Sequence, residues 1–88
     1  MKYPFSPTKR FQKQFQSLTK TEKRLIHKKL ELMAENPDHP SLRTKKIQGT
    51  SDIFECRVNM DIRIIWCYEE NPIILLIDVG HHNILKRY

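Results

Sequence analysis

The sequence is poor in glycine. Gly49 and Gly80 are the only two, which leaves no glycine-rich loop able to cradle a phosphate. Cysteine is equally scarce: Cys56 and Cys67 form no CxxC and no Cys/His ligand spacing, so neither a zinc site nor any other metal or cofactor is expected. Both lie in apolar, strand-like segments and read as two buried thiols, with a disulfide between neighbouring strands as the alternative. No HExxH, no paired-carboxylate cluster and no supported serine triad occurs, which removes the commonest hydrolase signatures. The longest apolar run, Ile73 to Ile77, is far shorter than the roughly 20 residues that cross a bilayer. Met1-Lys-Tyr-Pro-Phe5 lacks the apolar stretch of a secretory signal. A cytoplasmic protein without membrane contact is expected.

Acidic residues are scarce in one half. Residues 1–48 hold twelve Lys/Arg against four Asp/Glu, a balance of +8; residues 49–88 hold four against six, a balance of −2. A basic surface on so small a body points to a polyanion, RNA or DNA above all. A charged, solvated helical face is the plainer alternative. With 88 residues the chain is expected to be a single domain, 1–88, with room for one core. The runs Ile62 to Tyr68 and Ile73 to Val79 are the obvious sources of that core.

The pattern along the chain changes once. Pro4 and Pro7 bracket a short extended start. Thr8 can cap a first helix running to about Ser17, with Phe11, Phe15 and Leu18 on one stripe. Thr19 and Glu22 fit a capping box, opening a second helix to about Glu35. Leu25, Ile26, Leu30, Leu32 and Met33 supply its apolar side; Lys23, Arg24, His27, Lys28 and Lys29 make the rest cationic. Asn36-Pro37 stops it. The short link between the helices predicts an antiparallel hairpin. From Arg43 onward the pattern is of strands: an edge piece at Thr44–Ile47, a turn at Gly49-Thr50-Ser51, an alternating strand at Ile53–Asn59, a hairpin at Met60-Asp61, an apolar central strand at Ile62–Tyr68, a turn at Asn71-Pro72, and a further strand at Ile73–Val79. His81 to Tyr88 reads as a short polar tail. The expected class is α+β: a helical hairpin on a small antiparallel sheet of three to five strands, burying Phe11, Phe15, Leu25, Leu30, Phe54 and Trp66.

Cationic and imidazole groups stand on or just beyond the apolar strands. Arg63 interrupts Ile62, Ile64, Ile65 and Trp66; a guanidinium there either binds a phosphate with two parallel hydrogen bonds or pairs with Asp61, Asp78 or Glu55. Arg57, Lys45 and Lys46 are substrate contacts or ordinary solvent-facing residues. His81 and His82 follow Gly80 at a strand end, where imidazoles able to move protons near neutral pH are well placed, or are exposed loop residues. Tyr88 is a stacking or proton-sharing ring, or a frayed terminus.

Taken in order, the helix pair, Lys45-Lys-Ile-Gln-Gly49, Ile53-Phe-Glu-Cys-Arg-Val58, Asp61-Ile-Arg-Ile-Ile-Trp66, Asp78-Val-Gly-His-His82 and the final Tyr88 resemble the RelE/ParE toxin superfamily over essentially the whole chain. No single piece is specific; their order and spacing are. The resemblance implies a ribosome-dependent mRNA endonuclease neutralised by a cognate antitoxin. In its terms Arg63 binds the scissile phosphate, Arg57 assists at the 2′-hydroxyl or the transition state, His82 acts near the leaving group, and Tyr88 stacks on or activates the substrate. Arg57, Arg63 and His82 are then expected to converge on one concave surface beside the tail. Lys23, Arg24, Lys28, Lys29, Arg43, Lys45, Lys46, His81, Lys86 and Arg87 would meet mRNA in the ribosomal A site and ribosomal RNA. Glu55 and Arg57 stand where RelE itself has lysines, and His82 brings the chain nearer the YafQ and YoeB branches; Asp61 matches an aspartate of the YafQ branch. The same superfamily also implies an alternative, a ParE-like gyrase inhibitor, or a RelE-like domain without catalysis.

Overall fold

The computed structural model describes residues 2–70 and 72–88; Asn71, half of the expected Asn71-Pro72 turn, lies outside them. Strand β1 (Phe5–Pro7) leads into helix α1 (Lys9–Gln16), then α2 (Lys20–Glu35), a 3-10 turn at Pro40–Leu42, and strands β2 (Lys45–Lys46), β3 (Phe54–Arg57), β4 (Ile62–Glu70) and β5 (Ile73–His81). The chain closes with a 3-10 tail helix, His82–Arg87.

Both helix starts follow from their caps. Thr8 Oγ1 accepts the Phe11 amide N–H at 3.1 Å. The same hydroxyl donates toward the carbonyls of Leu76 and Ile77, at 3.0 and 2.9 Å, which fastens the start of α1 to β5. At α2 the capping box is complete: the Glu22 N–H donates to Thr19 Oγ1 at 3.1 Å and the Thr19 N–H to Glu22 Oε1 at 2.9 Å. Asn36, extended at φ −156° before Pro37, ends the helix.

The sheet order is β1-β5-β4-β3-β2. From β2 to β5 every pairing is antiparallel, as expected from the hairpins. The sheet as a whole is mixed, because β1 lies parallel to β5, with Phe5 opposite Ile74. Three residues of β1 carry too little pattern to reveal their partner; the pairing is set by the tie between Thr8 and β5.

Helices and sheet share one core on one face of the sheet. Phe11, Ile26 and Met33 come from the helices and Cys56, Val58, Ile62, Ile64, Trp66, Ile74, Leu76 and Val79 from the strands; Phe15, Leu30 and Phe54 are partly buried against it. Leu25 does not join them: it is 36% exposed. The buried stripe of α2 is Ile26, Leu30 and Met33, and the residue before Ile26 is turned about 100° away. Cys56 is buried and Cys67 only half-buried; both thiols are free, and burial pushes Cys56 up to about 12.

The opposite face carries a second, smaller core. Ile84 of the tail helix packs with Ile47 and Ile65, and Ile53, Ile77, Leu85 and Tyr88 surround them. The tail is therefore a folded element rather than a polar end. A bulge makes this possible. Ile65 lies opposite Asp78, yet the next residue, Trp66, lies opposite Leu76. The extra residue, Ile77, breaks the alternation of β5. Leu76 and Val79 both face the helices, while Asp78 is turned to the tail.

Candidate functional site

The polar residues of the tail-covered face of the sheet lie in two rows. In one, Arg57 of β3 lies opposite Arg63 of β4, which lies opposite Gly80 of β5. Residues in register on neighbouring strands point to the same face, and two strand spacings put the Arg57 and Gly80 backbones about 10 Å apart. In the other row Lys45, Glu55, Ile65 and Asp78 follow one another from β2 to β5.

Arg63 is only 4% exposed. Its Nη1 donates to the carbonyls of Asn59 and Ile62 at 2.9 and 3.2 Å, and its Nε lies 3.8 Å from Glu55 Oε1. Of the partners considered from sequence, Glu55 is the one that pairs with it. Arg57 reaches the free edge of β3. There it lines a groove of about 420 Å³ with Lys29, Ser41, Arg43, Val58, Asn59 and Met60. Three cations thus share one groove, and no carboxylate lines it.

Asp78 organises the other end of this face. It is fully buried. Its Oδ1 accepts the Val79 N–H at 2.9 Å, and its Oδ2 accepts from Arg87 Nη1 at 2.9 Å and from the Tyr88 hydroxyl at 2.8 Å. Burial, that hydrogen bond and the Asp78 charge push the Tyr88 hydroxyl up to about 12. Tyr88 is therefore anchored rather than frayed, and it keeps its proton at neutral pH. Nothing in the sequence singled out Asp78 as the anchor; an aspartate inside the run Ile73–Val79 was the available signal.

The two histidines part company. His81 lies opposite Ile62, on the helix side, with Nδ1 against Asp61 Oδ2 and Nε2 3.3 Å from Glu22 Oε2. His82 begins the tail helix with its side chain exposed, and its backbone N–H donates to Asp61 Oδ1 at 3.2 Å.

No protein-family model and no curated protein matches the chain. Solved structures do. A chain of the archaeal RelE–RelB complex from Pyrococcus horikoshii superposes with a TM-score of 0.75 at 22% identity, over 92% of this chain and 96% of that one. A chain of the E. coli DinJ–YafQ toxin–antitoxin complex does so with a TM-score of 0.78 at 14% identity, over 97% and 98%. For the intact E. coli RelBE toxin–antitoxin complex the values are 0.72 and 22%, over 89% and 94%. The chain has a RelE-like fold.

On this RelE-like frame, Arg57 and Arg63 share a row whose third member, Gly80, stands two residues before His82. Tyr88 closes the same face through Asp78. His81 turns away from it. The basic helix residues do not act as one group: Lys23 lies over the Phe15 ring at 5.8 Å, Lys29 donates to the Ser41 carbonyl at 3.4 Å, and Arg24 and Lys28 are exposed. Lys45, Lys46 and Lys86 are exposed as well.

Proposed function

We propose that this chain is the toxin of a type II toxin–antitoxin system and that it cuts mRNA on the ribosome. The observation that carries the reading is the Arg57–Arg63–Gly80 row with an exposed His82 just past its end, on a RelE-like fold. In the reaction the 2′-oxygen of the substrate attacks its own 3′-phosphate, the P–O5′ bond breaks, and a 2′,3′-cyclic phosphate and a 5′-hydroxyl remain. The nucleophile belongs to the substrate, so side chains suffice: a base for the 2′-hydroxyl, cations for the charge gained by the phosphate, and an acid for the 5′-oxygen. His82 supplies the acid. Arg57 and Arg63 stabilise the phosphate. Tyr88, whose hydroxyl is engaged by Asp78, contributes its ring as a stacking surface. Arg43 and Lys29 extend the contact along the groove that Arg57 lines, with Lys45, Lys46, Lys23, Arg24, Lys28, Lys86 and Arg87 as further RNA contacts; His81, expected among them, is engaged by Asp61 and Glu22 instead.

The neighbouring folds come from toxin–antitoxin complexes, which supports a protein antitoxin as the partner here too. For a cationic cleft that partner is acidic and partly disordered before binding. A cytoplasmic toxin follows.

One observation favours a second reading. Arg63 is buried with its Nη1 bonded to two carbonyls, and Tyr88 is tied to Asp78. Groups so engaged suit a toxin that acts by binding, such as a gyrase inhibitor. The two readings separate on expression of the chain alone. Growth arrest with mRNA cleaved to 2′,3′-cyclic phosphate ends, relieved by a neighbouring small open reading frame, is expected. Arrest with intact mRNA and relaxed DNA supports the gyrase inhibitor. Absence of arrest removes both.

A further inference from the structure

One imidazole at the end of the sheet joins three segments far apart in the chain. His81, the last residue of β5, meets Asp61 in the β3–β4 turn through Nδ1 and Glu22 in the first turn of α2 through Nε2, the latter at 3.3 Å. Both carboxylates are held from their other oxygens. Glu22 Oε1 accepts the Thr19 N–H at 2.9 Å, and Asp61 Oδ1 accepts the His82 N–H at 3.2 Å. A neutral imidazole has a single N–H and turns a lone pair to one of its two carboxylates. The imidazolium keeps the hydrogen bond to Asp61 and adds a positive charge that pairs with Glu22. The geometry is therefore that of a charged carboxylate–imidazolium–carboxylate bridge, and one end of the bridge grips the backbone of the first residue of the tail helix.

We propose that Glu22, His81 and Asp61 are positioning residues that set where His82 stands relative to the Arg57–Arg63 row, and that they do so only while His81 is protonated. The consequence for cleavage rests on the reading of His82 as the acid; the bridge itself does not.

The charged and titratable groups that face His81 are Asp61 from the β3–β4 turn, Glu22 from α2, and His82 beside it in the chain. The hydrogen bond to Asp61, followed by the charges of Asp61 and Glu22, holds the imidazole above its ordinary value. The hydrogen bond from His81, then the one from the His82 amide, holds Asp61 below its own. A raised imidazole contributes while protonated and loses its contribution as pH rises through the raised value. A depressed carboxylate loses its contribution as pH falls through the depressed one. The bridge thus stands between these two limits, and its upper limit lies above the ordinary imidazole pKa of about 6.5.

Glu22→Gln separates the bridge from the helix cap. Glutamine also serves at the third position of a capping box, so its oxygen keeps the bond from Thr19 while the negative charge beside His81 disappears. Two measurements on the intact chain decide. One is the NMR titration of the His81 ring together with protection of the His82 amide from exchange. The other is the pH profile of RNA cleavage. The unaltered protein should titrate His81 above about 6.5, and protection of the His82 amide should drop across that transition. Glu22→Gln should move the His81 midpoint, the loss of His82 protection and the alkaline limb of cleavage to lower pH together. An unmoved His81 midpoint in Glu22→Gln, or His82 protection that ignores the titration, overturns the bridge. A moved midpoint with an unmoved cleavage profile overturns the positioning role. If the unaltered chain cuts no RNA, the nuclease reading fails alone, and the NMR titration still decides the bridge.

Discussion

At Gly80 the tail helix passes close above β5: a Cβ added there would meet Ile84 Cγ2 at 2.8 Å. The glycine is needed for that approach, since its backbone is ordinary strand. Gly80→Ala should push Ile84 out of the small core it shares with Ile47 and Ile65, at a cost of about 1–3 kcal/mol. A urea titration should show a lower midpoint. Adding Ile84→Leu, which removes the branch that the new methyl strikes, should recover part of it. An unchanged midpoint in Gly80→Ala would mean that the tail shifts freely. Tyr88 gives a second test at this scale. Folding favours its neutral phenol, so its contribution is complete below the ordinary value of about 10 and is lost as pH rises toward about 12. Cys56, buried with a thiol also pushed up to about 12, loses stability in the same direction. Between about pH 10 and 12 the thermal midpoint of the unaltered protein should fall more steeply than that of Tyr88→Phe. Equal slopes would show that neither burial nor the Asp78 contact raises the Tyr88 hydroxyl.

One carboxylate fastens the end of the tail helix to the sheet. Asp78 receives Arg87 and Tyr88 at a single oxygen, and the bulge at Ile77 aims it there. Asp78→Ala removes both bonds and should cost about 1–3 kcal/mol. More tellingly, it should expose Lys86 and Arg87 to trypsin under conditions that leave the rest folded. Equal cleavage rates at the tail in both proteins would contradict the role given to Asp78. This element also marks where the sequence stops being legible. The helix starts were plain, because Thr8, Thr19 and Glu22 cap locally. The long strands were plain, because β4 is apolar on both faces. Leu25 was misplaced by a single residue on a stripe that Ile26 fixes. The parallel seat of β1, the bulge in β5 and the packing of Ile84 depend on contacts between residues more than 15 positions apart or on an irregularity with no local signature. Each of them shapes the face that carries the candidate site.

Across the whole molecule the two faces divide the work. The helical hairpin covers one side, over a core supplied mostly by the strands, while the tail covers the other, on which Arg57 and Arg63 share a row. The site residues were legible as types, an arginine inside an apolar strand and a histidine just past a strand end. Their surroundings were not. The Glu55 partner of Arg63 requires the register of β3 on β4, and the Asp61 contact of His81 requires the hairpin to meet the end of β5. The charge asymmetry suits a polyanion, yet the basic residues are spread over separate places, from the groove at Arg43 and Arg57 to the exposed face of α2. Binding and chemistry should therefore separate under mutation. The direct test of the nuclease reading is single-turnover cleavage of ribosome-bound mRNA by the unaltered chain and by His82→Ala, with ribosome binding measured in parallel. Loss of the imidazole acid should slow cleavage by about 10² to 10⁴ and leave binding nearly unchanged. Cleavage by His82→Ala at the unaltered rate would contradict the assignment of His82 as the acid.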